Sequence, residues 1–412
     1  MSILPPSLPG NLGDIKVVLV TAQILEKPII MLDYETDSWK SLVPDAKSSP
    51  QFGNIDCMAY FHVKGLKKVW FIVRNLLHLA WNIPHVIQAL AQSKKLIILG
   101  MDVMGGHYGL LSALHKIALA YIAALLGTRV SIINCSFNKH PSRLAVFALR
   151  NLPSSVQIVA REPLSRARMQ KWLKRPILLS ADIAFLYSPE PHAHNSLQQH
   201  LDWIRSEKER GQTIVGINIA DNKDSRKMPL IELFTETIRK MPNVSFVLIP
   251  HSKFHKDYLT DETRVLRSLL SHISEEEQKR CTMIDLPCDL PDLFGVLEQL
   301  DFAIVGRMHL AIGLLSLGVP AACLTYQNKF DGLFIDYLHM PMLLLDIQES
   351  MSDGNFVRAL SQLLPQRENM RSEILRVLPI LKELAMNNFE LQTTVTTALS
   401  TGRTGEKVAT IA

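Results

Sequence analysis

The chain has 412 residues, which is more than one ordinary domain holds, and its formal net charge is +5. Hydrophobic residues make up 47% of it and charged residues 20%, which is typical of a globular protein with large buried sheets. The weak, scattered positive charge permits an anionic substrate or an anionic membrane surface, but it argues against a nucleic-acid partner. The 5 cysteines form no CxxC pair, so we expect a reducing compartment without a disulfide framework or zinc site.

Two segments bear on secretion and on membrane insertion. The N-terminal sequence MSILPPSLPG lacks a basic region and a long apolar core, so no signal peptide is predicted. The longest apolar segment, residues 110–126, contains His115 and Lys116 and is too short and too polar for a membrane span. We therefore predict a buried helix there and a cytoplasmic protein.

Strand-like apolar runs alternate with helical patterns in the first half of the chain. Such alternation favours a parallel sheet with crossover helices. The GNLGD sequence at residues 10–14 is a glycine-rich turn before a helical pattern, and such a turn can present backbone N–H groups to an anion. Strands are predicted at residues 95–100, 129–135, 156–160 and 177–180, and helices at residues 108–126, 141–152 and 165–174.

The pattern is interrupted by a segment rich in proline and histidine, residues 188–194, and then starts again. Strands are predicted at residues 213–219, 244–250, 283–286, 302–305 and 319–326, while the charged residues 255–280 are predicted to be helical and mostly solvated. We predict an α/β protein of GT-B-like architecture, with two Rossmann-like doubly wound domains facing a central cleft. The predicted domains are residues 1–205 and 206–375, followed by a C-terminal helix and disordered tail at residues 376–412.

The most informative stretch runs from residue 301 to residue 330. An apolar strand ends at Gly306, and Arg307 and His309 follow at once; a helix and a second strand then lead to Lys329. The carboxyl ends of parallel strands share one edge of a sheet, where open α/β sheets bind their ligands. Three cationic or titratable groups beside a helix N-terminus predict a site for a multiply charged anion.

Other predicted strand ends and glycine-rich loops carry polar residues that extend this candidate site. Some of them also have a structural interpretation. His251 alternatively caps a following helix, and Arg161 alternatively pairs with Glu162 or Asp182. The predicted binding residues are Asn11, Gly13, Asp14, Gly105, Gly106, Ser136, Arg161, Asp182, Asn218 and His251.

Residues 64–81, KGLKKVWFIVRNLLHLAW, interleave basic residues with tryptophan and phenylalanine. This composition suits the surface of a membrane, so peripheral membrane contact is one interpretation. The other interpretation is a half-buried strand and helix of the first domain.

Eight sequence blocks, in order, resemble those of the polysaccharide pyruvyl transferase family. They are GNLGD, LGMDVMGGHYG, VAREPLS, SADIAF, VGINIA, VLIPH, VGRMH and GVPAACLTYQNK. The likeness covers residues 10–333, and its last two blocks are the most specific.

The resemblance implies that the protein transfers pyruvate from phosphoenolpyruvate to two sugar hydroxyls, forming a ketal and releasing phosphate. The acceptor would be a surface polysaccharide or its lipid-linked precursor, built at the inner face of the cell membrane. The resemblance also implies a GT-B-like fold, and it places the family's phosphoenolpyruvate-binding arginine and histidine at Arg307 and His309. The family's lysine falls on Lys329, and the arginine of its R-E block falls on Arg161. We predict catalytic roles for His309, Arg307 and Lys329 and substrate binding by Arg161. Phosphoenolpyruvate is a substrate, and no cluster of metal ligands stands out, so neither a cofactor nor a metal is expected.

The sequence departs from the family pattern at three places. Only nine residues precede Gly10 and three of them are proline, so the first strand is expected to be very short or missing. Ser252 follows His251, where the family often has an acidic residue. The glycine pair at residues 105–106 continues as HYG.

The expected chemistry needs an acid that protonates C3 of the enol or the departing phosphate. His309 is the predicted acid, and Asp182 is a candidate base for the acceptor hydroxyl. Two other functions remain open: a GT-B nucleotide-sugar glycosyltransferase, which would bind UDP or GDP, and a non-catalytic GT-B-like scaffold. The sequence leaves the acceptor sugar, the ketal stereochemistry and the oligomeric state open.

Overall fold

The computed structural model describes residues 1–35, 37–49, 66–106, 109–189, 196–220, 227–252, 262–325, 330–351 and 354–390. Over these residues each half of the chain forms one sheet, and the paired strands of both sheets run parallel. The predicted tandem arrangement of two doubly wound α/β domains is therefore confirmed.

The first sheet has seven strands in the order β3-β2-β1-β4-β5-β6-β7. Its long strands β4 and β5 are buried along almost their whole length, as expected when helices cover both faces of a parallel sheet. The strands are Ser2–Leu4 (β1), Ile30–Met31 (β2), Lys47–Ser48 (β3), Lys95–Met101 (β4), Arg129–Cys135 (β5), Gln157–Ala160 (β6) and Leu178–Leu179 (β7).

The helices of the first domain follow the predicted alternation. The segment predicted as a buried helix is α3, whose Ala113, Ile117 and Ala120 are buried against the sheet. Among the described residues, no helix has both the length and the apolar character needed to cross a bilayer. The helices are Leu12–Ile24 (α1), Leu66–Ala91 (α2), Leu110–Leu125 (α3), Arg143–Arg150 (α4) and Pro163–Leu173 (α5).

The first strand is very short, which is one of the two outcomes expected from the sequence. It has three residues, lies between β2 and β4, and ends before Pro5, which has no N–H to donate to a ladder. Because β1 is central in the sheet, the GNLGD turn after it stands at the carboxyl edge. The two-residue strands β2 and β3 were not predicted, since so short a strand carries no readable period.

The second sheet has six strands in the order β10-β9-β8-β11-β12-β13. Both sheets start at a central strand, grow to one edge and then continue on the other side, so each has a topological switch point. These points lie between β1 and β4 and between β8 and β11. The strands are Thr213–Asn218 (β8), Val244–Leu248 (β9), Cys281–Met283 (β10), Phe302–Val305 (β11), Ala321–Thr325 (β12) and Leu344–Asp346 (β13).

The helices of the second half cover this sheet and close the chain. They are Gln198–Glu209 (α6), Lys227–Lys240 (α7), Glu262–Ser271 (α8), Glu275–Gln278 (α9), Leu290–Glu298 (α10), Met308–Ser316 (α11), Asp331–Phe334 (α12), Ile347–Ser350 (α13), Asn355–Leu363 (α14) and Arg367–Met386 (α15).

The predicted domain limits fall inside helices. Residues 205 and 206 lie within α6, which contacts β8 and α10, and residue 376 lies within α15. Beyond α15, the Asn388 side chain donates to the Ala181 carbonyl and accepts from the Asn134 N–H, each over 3.0 Å. The C-terminal helix thus ends against the first domain. The predicted disordered tail, from residue 391 on, lies outside the described residues.

Candidate functional site

The carboxyl edges of the two sheets meet at their switch points. Asn11 pairs with Ser252 in an isolated antiparallel bridge, and the Leu12 N–H donates to the His251 carbonyl over 3.2 Å. The GNLGD turn of the first domain is therefore in direct contact with a strand end of the second. A site at this edge draws its residues from both domains, as the sequence predicts.

Gly13 makes the tightest approach between the domains. A Cβ atom at this position would lie 2.3 Å from Cβ of His309, so only glycine fits there without displacing that histidine. Asn11 caps α1, since its Oδ1 accepts from the Gly13 N–H over 2.8 Å. One turn later, the buried Lys16 donates from Nζ to the His309 carbonyl over 3.1 Å. The described contacts of Asn11 and Gly13 thus build the helix start and the domain interface.

Arg307 stands where the sequence predicts it, directly after β11 and at the N-cap of α11. Its Nε donates to Glu262 Oε1 over 2.5 Å. The Arg307 side chain keeps 19% of its surface exposed, whereas that of Arg161 keeps 1%. Of these two arginines, Arg307 is the one that a ligand in the cleft can reach.

Glu262, the first residue of α8, is a site residue that the sequence did not reveal. Its Oε2 accepts from Asn218 Nδ2 and from the His251 N–H, each over 2.8 Å, while Oε1 accepts from Arg307. The prediction of a mostly solvated helix is wrong at this residue, because Glu262 is fully buried. A buried carboxylate is stable only with such donors around it. One carboxylate therefore fixes three of the predicted site residues.

Asn218 and His251 lie at neighbouring strand ends, as predicted. Asn218 is 0% exposed, and its Nδ2 also donates to a backbone carbonyl over 2.9 Å, so its side-chain amide is used in hydrogen bonds within the protein. Burial holds the pKa of His251 well below its usual range, and the neighbouring Lys16, His309 and Arg307 act in the same direction. Within the described part of the chain, His251 Nδ1 has no hydrogen-bond partner.

Arg161 is buried among oxygen acceptors of its own domain, and its Nη2 also donates to Met308 Sδ, at the start of α11 in the second domain, over 3.4 Å. It donates from Nε to Ser136 Oγ over 2.7 Å, from Nη1 to Asp182 over 3.0 Å and from Nη2 to Asp102 over 2.5 Å. The ion pair with Asp182 is the structural alternative that the sequence left open. Ser136 in turn donates to Glu162 over 2.9 Å. In this structure Arg161 positions carboxylates, of which Asp102, with 27% of its side chain exposed, was not among the predicted site residues.

Asp182 is a saturated carboxylate. Its Oδ1 accepts from Asn134 Nδ2 over 3.2 Å and from the Ala184 N–H over 2.9 Å, while Oδ2 accepts from Arg161. Burial raises the pKa of Asp182, but Arg161, His309 and these hydrogen bonds outweigh burial, so the pKa lies below its usual value. Such a group is a poor base, which argues against the predicted role in deprotonating the acceptor. Asp182 instead flanks His309 Nε2, 3.8 Å from Oδ2.

His309 lies in the first turn of α11, and its side chain is 13% exposed. Burial lowers the pKa of His309 to about 4, although the nearby Asp182 acts in the opposite direction. Among the described residues, its Nε2 has no hydrogen-bond partner. The imidazole is therefore neutral near pH 7 in the absence of a ligand.

Asp14, in the first turn of α1, is the titratable residue that the GNLGD turn of the first domain adds to the candidate site. Its Oδ2 accepts from Ser7 Oγ over 2.7 Å. Burial raises the pKa of Asp14 to about 6, against the lowering effects of Ser7, Lys116 and Arg307. A carboxylate with a pKa close to neutral is well matched to proton transfer at neutral pH.

Two further predictions stay predictions. The Gly105 carbonyl accepts from the Ser142 N–H over 2.9 Å, and Gly106, with φ of +76°, approaches the same residue, so the described contacts of this glycine pair are with the start of α4. A ligand contact there is untested. Lys329, the third predicted catalytic residue, lies outside the described residues.

The arrangement can bind an oxyanion and move protons. A partly exposed arginine recognises phosphate or carboxylate, and the N-terminus of α11 favours negative charge. Near pH 7 the neutral His309 and the ionised Asp14 can both accept a proton, and His309 can donate one once it is protonated. In the described ranges, no three His, Cys, Asp or Glu side chains are grouped to hold a metal ion.

Solved structures of similar fold have GT-B architecture, and epimerases and glycosyltransferases are among them. HepE from Anabaena, in complex with UDP and glucose, has a TM-score of 0.56 at 13% identity, over 98% of each chain. UDP-GlcNAc 2-epimerase from Neisseria meningitidis, bound to UDP-GlcNAc, has a TM-score of 0.54 at 10% identity, over 94% of this chain and 98% of its own. At such low identity the likeness establishes the fold alone, and it confirms the GT-B-like prediction.

Sequence comparison identifies the family. No curated protein matches the chain in sequence. The profile of the polysaccharide pyruvyl transferase family matches residues 11–328, a region that includes Arg161, Arg307 and His309. This chain therefore belongs to the polysaccharide pyruvyl transferase family, as its sequence blocks predict.

Proposed function

We propose that this protein transfers pyruvate from phosphoenolpyruvate to two hydroxyls of a sugar, in a surface polysaccharide or its lipid-linked precursor, forming a ketal and releasing phosphate. Membership of the family supports transfer to a polysaccharide. The donor assignment is carried by one observation, the placement of Arg307 and His309 at the start of α11 against the turn that holds Asp14.

Phosphoenolpyruvate offers two anionic groups on a small frame, and the site offers cationic groups for them. Arg307 presents a planar guanidinium, oriented by Glu262, which suits bidentate contact with phosphate or carboxylate. Lys16 is buried behind His309, and burial lowers its pKa to about 8, so it still carries positive charge at neutral pH. Lys329, four residues after the end of β12, is the predicted third cation.

His309 is the proposed acid. Its pKa of about 4 leaves it neutral in the free protein, so the acid form has to be created by substrate binding. A phosphate dianion beside the ring raises the pKa, because a nearby negative charge favours the imidazolium. Substrate binding thus favours protonation of His309, and the protonated imidazole forms only when phosphoenolpyruvate is bound.

Asp14 is the proposed base. It accepts a proton from the first sugar hydroxyl as that oxygen forms a bond to C2 of phosphoenolpyruvate, while the protonated His309 gives its proton to C3, which becomes a methyl group. The proton on Asp14 then passes to solvent, from which His309 is protonated again in the next cycle. The bond from C2 to the phosphate oxygen then breaks, and the second hydroxyl attacks the oxocarbenium-like centre. The proton of this second hydroxyl leaves with the phosphate, so the products are the ketal and hydrogen phosphate.

Labelled phosphoenolpyruvate tests this proposal. The protein is incubated with [3-¹⁴C]phosphoenolpyruvate and with polysaccharide and lipid fractions extracted from the producing cells. We expect label in one of these fractions and its release as pyruvate by mild acid, which opens the ketal. His309→Gln should abolish incorporation, whereas His272→Gln, at an exposed surface histidine, should not. Wild-type protein that transfers no label to either fraction would contradict the proposal.

A further inference from the structure

Helix α2 carries a stripe of large apolar side chains on the protein surface. Val69, Trp70, Val73, Leu77 and Trp81 have 58%, 64%, 48%, 65% and 80% of their surface exposed. We name these five residues the α2 stripe. Single exposed apolar residues are ordinary, but a continuous set that includes two tryptophans marks an interaction surface.

The stripe occupies one face of the helix. At about 100° per residue its five members fall within an arc of about 120°, and the opposite face of the same helix enters the core. On that face Val86 and Leu90 are only 1% and 0% exposed. The helix therefore has two apolar faces, of which one is covered by the sheet and the other is open.

The length of α2 determines where along the sheet the stripe lies. With 26 residues the helix is about 39 Å long, whereas the seven residues of β4 extend for about 23 Å. Because α2 ends at Ala91, shortly before β4 begins, it runs back along the sheet from the carboxyl edge. Its first turns thus project past the carboxyl edge, which is also the edge of the candidate site.

The charge of α2 identifies the surface that it fits. The 26 residues contain no aspartate or glutamate, while Lys67, Lys68 and Arg74 are basic. The Arg74 guanidinium lies 5.2 Å from the ring centroid of Trp70, so the two side chains form a cation–π pair. Tryptophan with flanking lysine and arginine is typical of the boundary between lipid headgroups and acyl chains.

We propose that the α2 stripe docks this protein on the surface of an anionic lipid membrane, with α2 lying in the plane of the interface. Apolar residues would enter the headgroup region, and the basic residues would meet anionic headgroups. A second copy of the chain is a poorer occupant, because the basic residues that flank the stripe on each α2 would repel each other. Since the stripe lies at the edge of the candidate site, docking would hold the cleft close to the membrane.

Vesicle co-sedimentation tests docking without any substrate, so its outcome is independent of the proposed function. We expect the protein to bind vesicles that contain phosphatidylcholine and phosphatidylglycerol, and this binding should weaken at high salt. Binding to vesicles of phosphatidylcholine alone should be far weaker. Leu77→Glu should lower partitioning by about tenfold or more. The matched variant Leu125→Glu, at an exposed leucine (78%) near the far end of α3, should leave it unchanged.

Two further measurements complete the test. Tryptophan emission should shift to the blue on vesicle binding, and Trp70→Phe with Trp81→Phe should remove most of that shift. Equal thermal unfolding midpoints for the two Leu→Glu variants would confirm that the fold is intact. The proposal is overturned by absence of vesicle binding, by equal binding to neutral vesicles, or by sedimentation that shows Leu77→Glu dissociating a dimer.

Discussion

Glu262 gives the sharpest structural prediction, because one buried carboxylate holds three residues of the site. In Glu262→Gln the amide oxygen can still accept from Asn218 and the His251 N–H, but its NH₂ group then faces Arg307 Nε, now 2.5 Å from Oε1. A charge-assisted hydrogen bond is replaced by two donors in contact, and a guanidinium loses its counter-charge. We expect a loss in the free energy of unfolding of about 3 kcal/mol.

Urea unfolding measures this loss, with Glu276→Gln as the matched control. Glu276 pairs with Lys279 on the surface, where its side chain is 81% exposed, so the same substitution should change stability by at most about 0.5 kcal/mol. Glu262→Gln should also weaken phosphoenolpyruvate binding, because Arg307 is no longer oriented. Equal urea midpoints for the two variants would refute the idea that Glu262 organises the site.

Three other outcomes follow from the geometry. Gly13→Ala should destabilise by about 1–3 kcal/mol and reduce activity, since its Cβ would lie 2.3 Å from His309. Gly105→Ala, whose added Cβ would have its nearest atom 3.6 Å away, should leave the free energy of unfolding almost unchanged, and urea unfolding compares the two variants. Asp14 has its pKa raised to about 6, so its cost to stability is absent below pH 3.8 and grows as pH rises to about 6. Asp14→Asn should therefore stabilise the protein at pH 7 by on the order of 1–3 kcal/mol, and it should not stabilise it at pH 3.5. The kcat/KM of the wild type should fall below about pH 6, and the kcat/KM of the variant should vanish. Activity should also survive EDTA, and its loss and recovery with a divalent ion would contradict the proposed metal-free reaction.

The architecture was predictable because it depends on local sequence patterns. Apolar runs of strand length alternate with helical segments, and parallel strands place polar residues at one shared edge. That rule located Asn218, His251 and Arg307 at neighbouring strand ends, as the structure shows. The two-residue strands β2 and β3 escaped prediction because they are too short to show a period.

The partners of the site residues were not predictable, because they arise from contacts between distant segments. Glu262 lies in a charged stretch whose local pattern indicates a solvated helix, and only the fold brings it against Arg307, 45 residues later. Arg161 could equally have bound substrate or carboxylates, and the structure shows it with Asp102 and Asp182. The raised pKa of Asp14 likewise depends on burial at the domain contact.

Calorimetric titration with phosphoenolpyruvate tests the central claim most directly, since it needs no acceptor. We predict saturable binding to the wild type and to Arg267→Gln, a control at a guanidinium 65% exposed on the surface. Binding should be at least about tenfold weaker in Arg307→Gln, a loss of about 1.4 kcal/mol or more, and UDP and UDP-glucose should give no heat. Heat with UDP but none with phosphoenolpyruvate would contradict the account and favour glycosyl transfer.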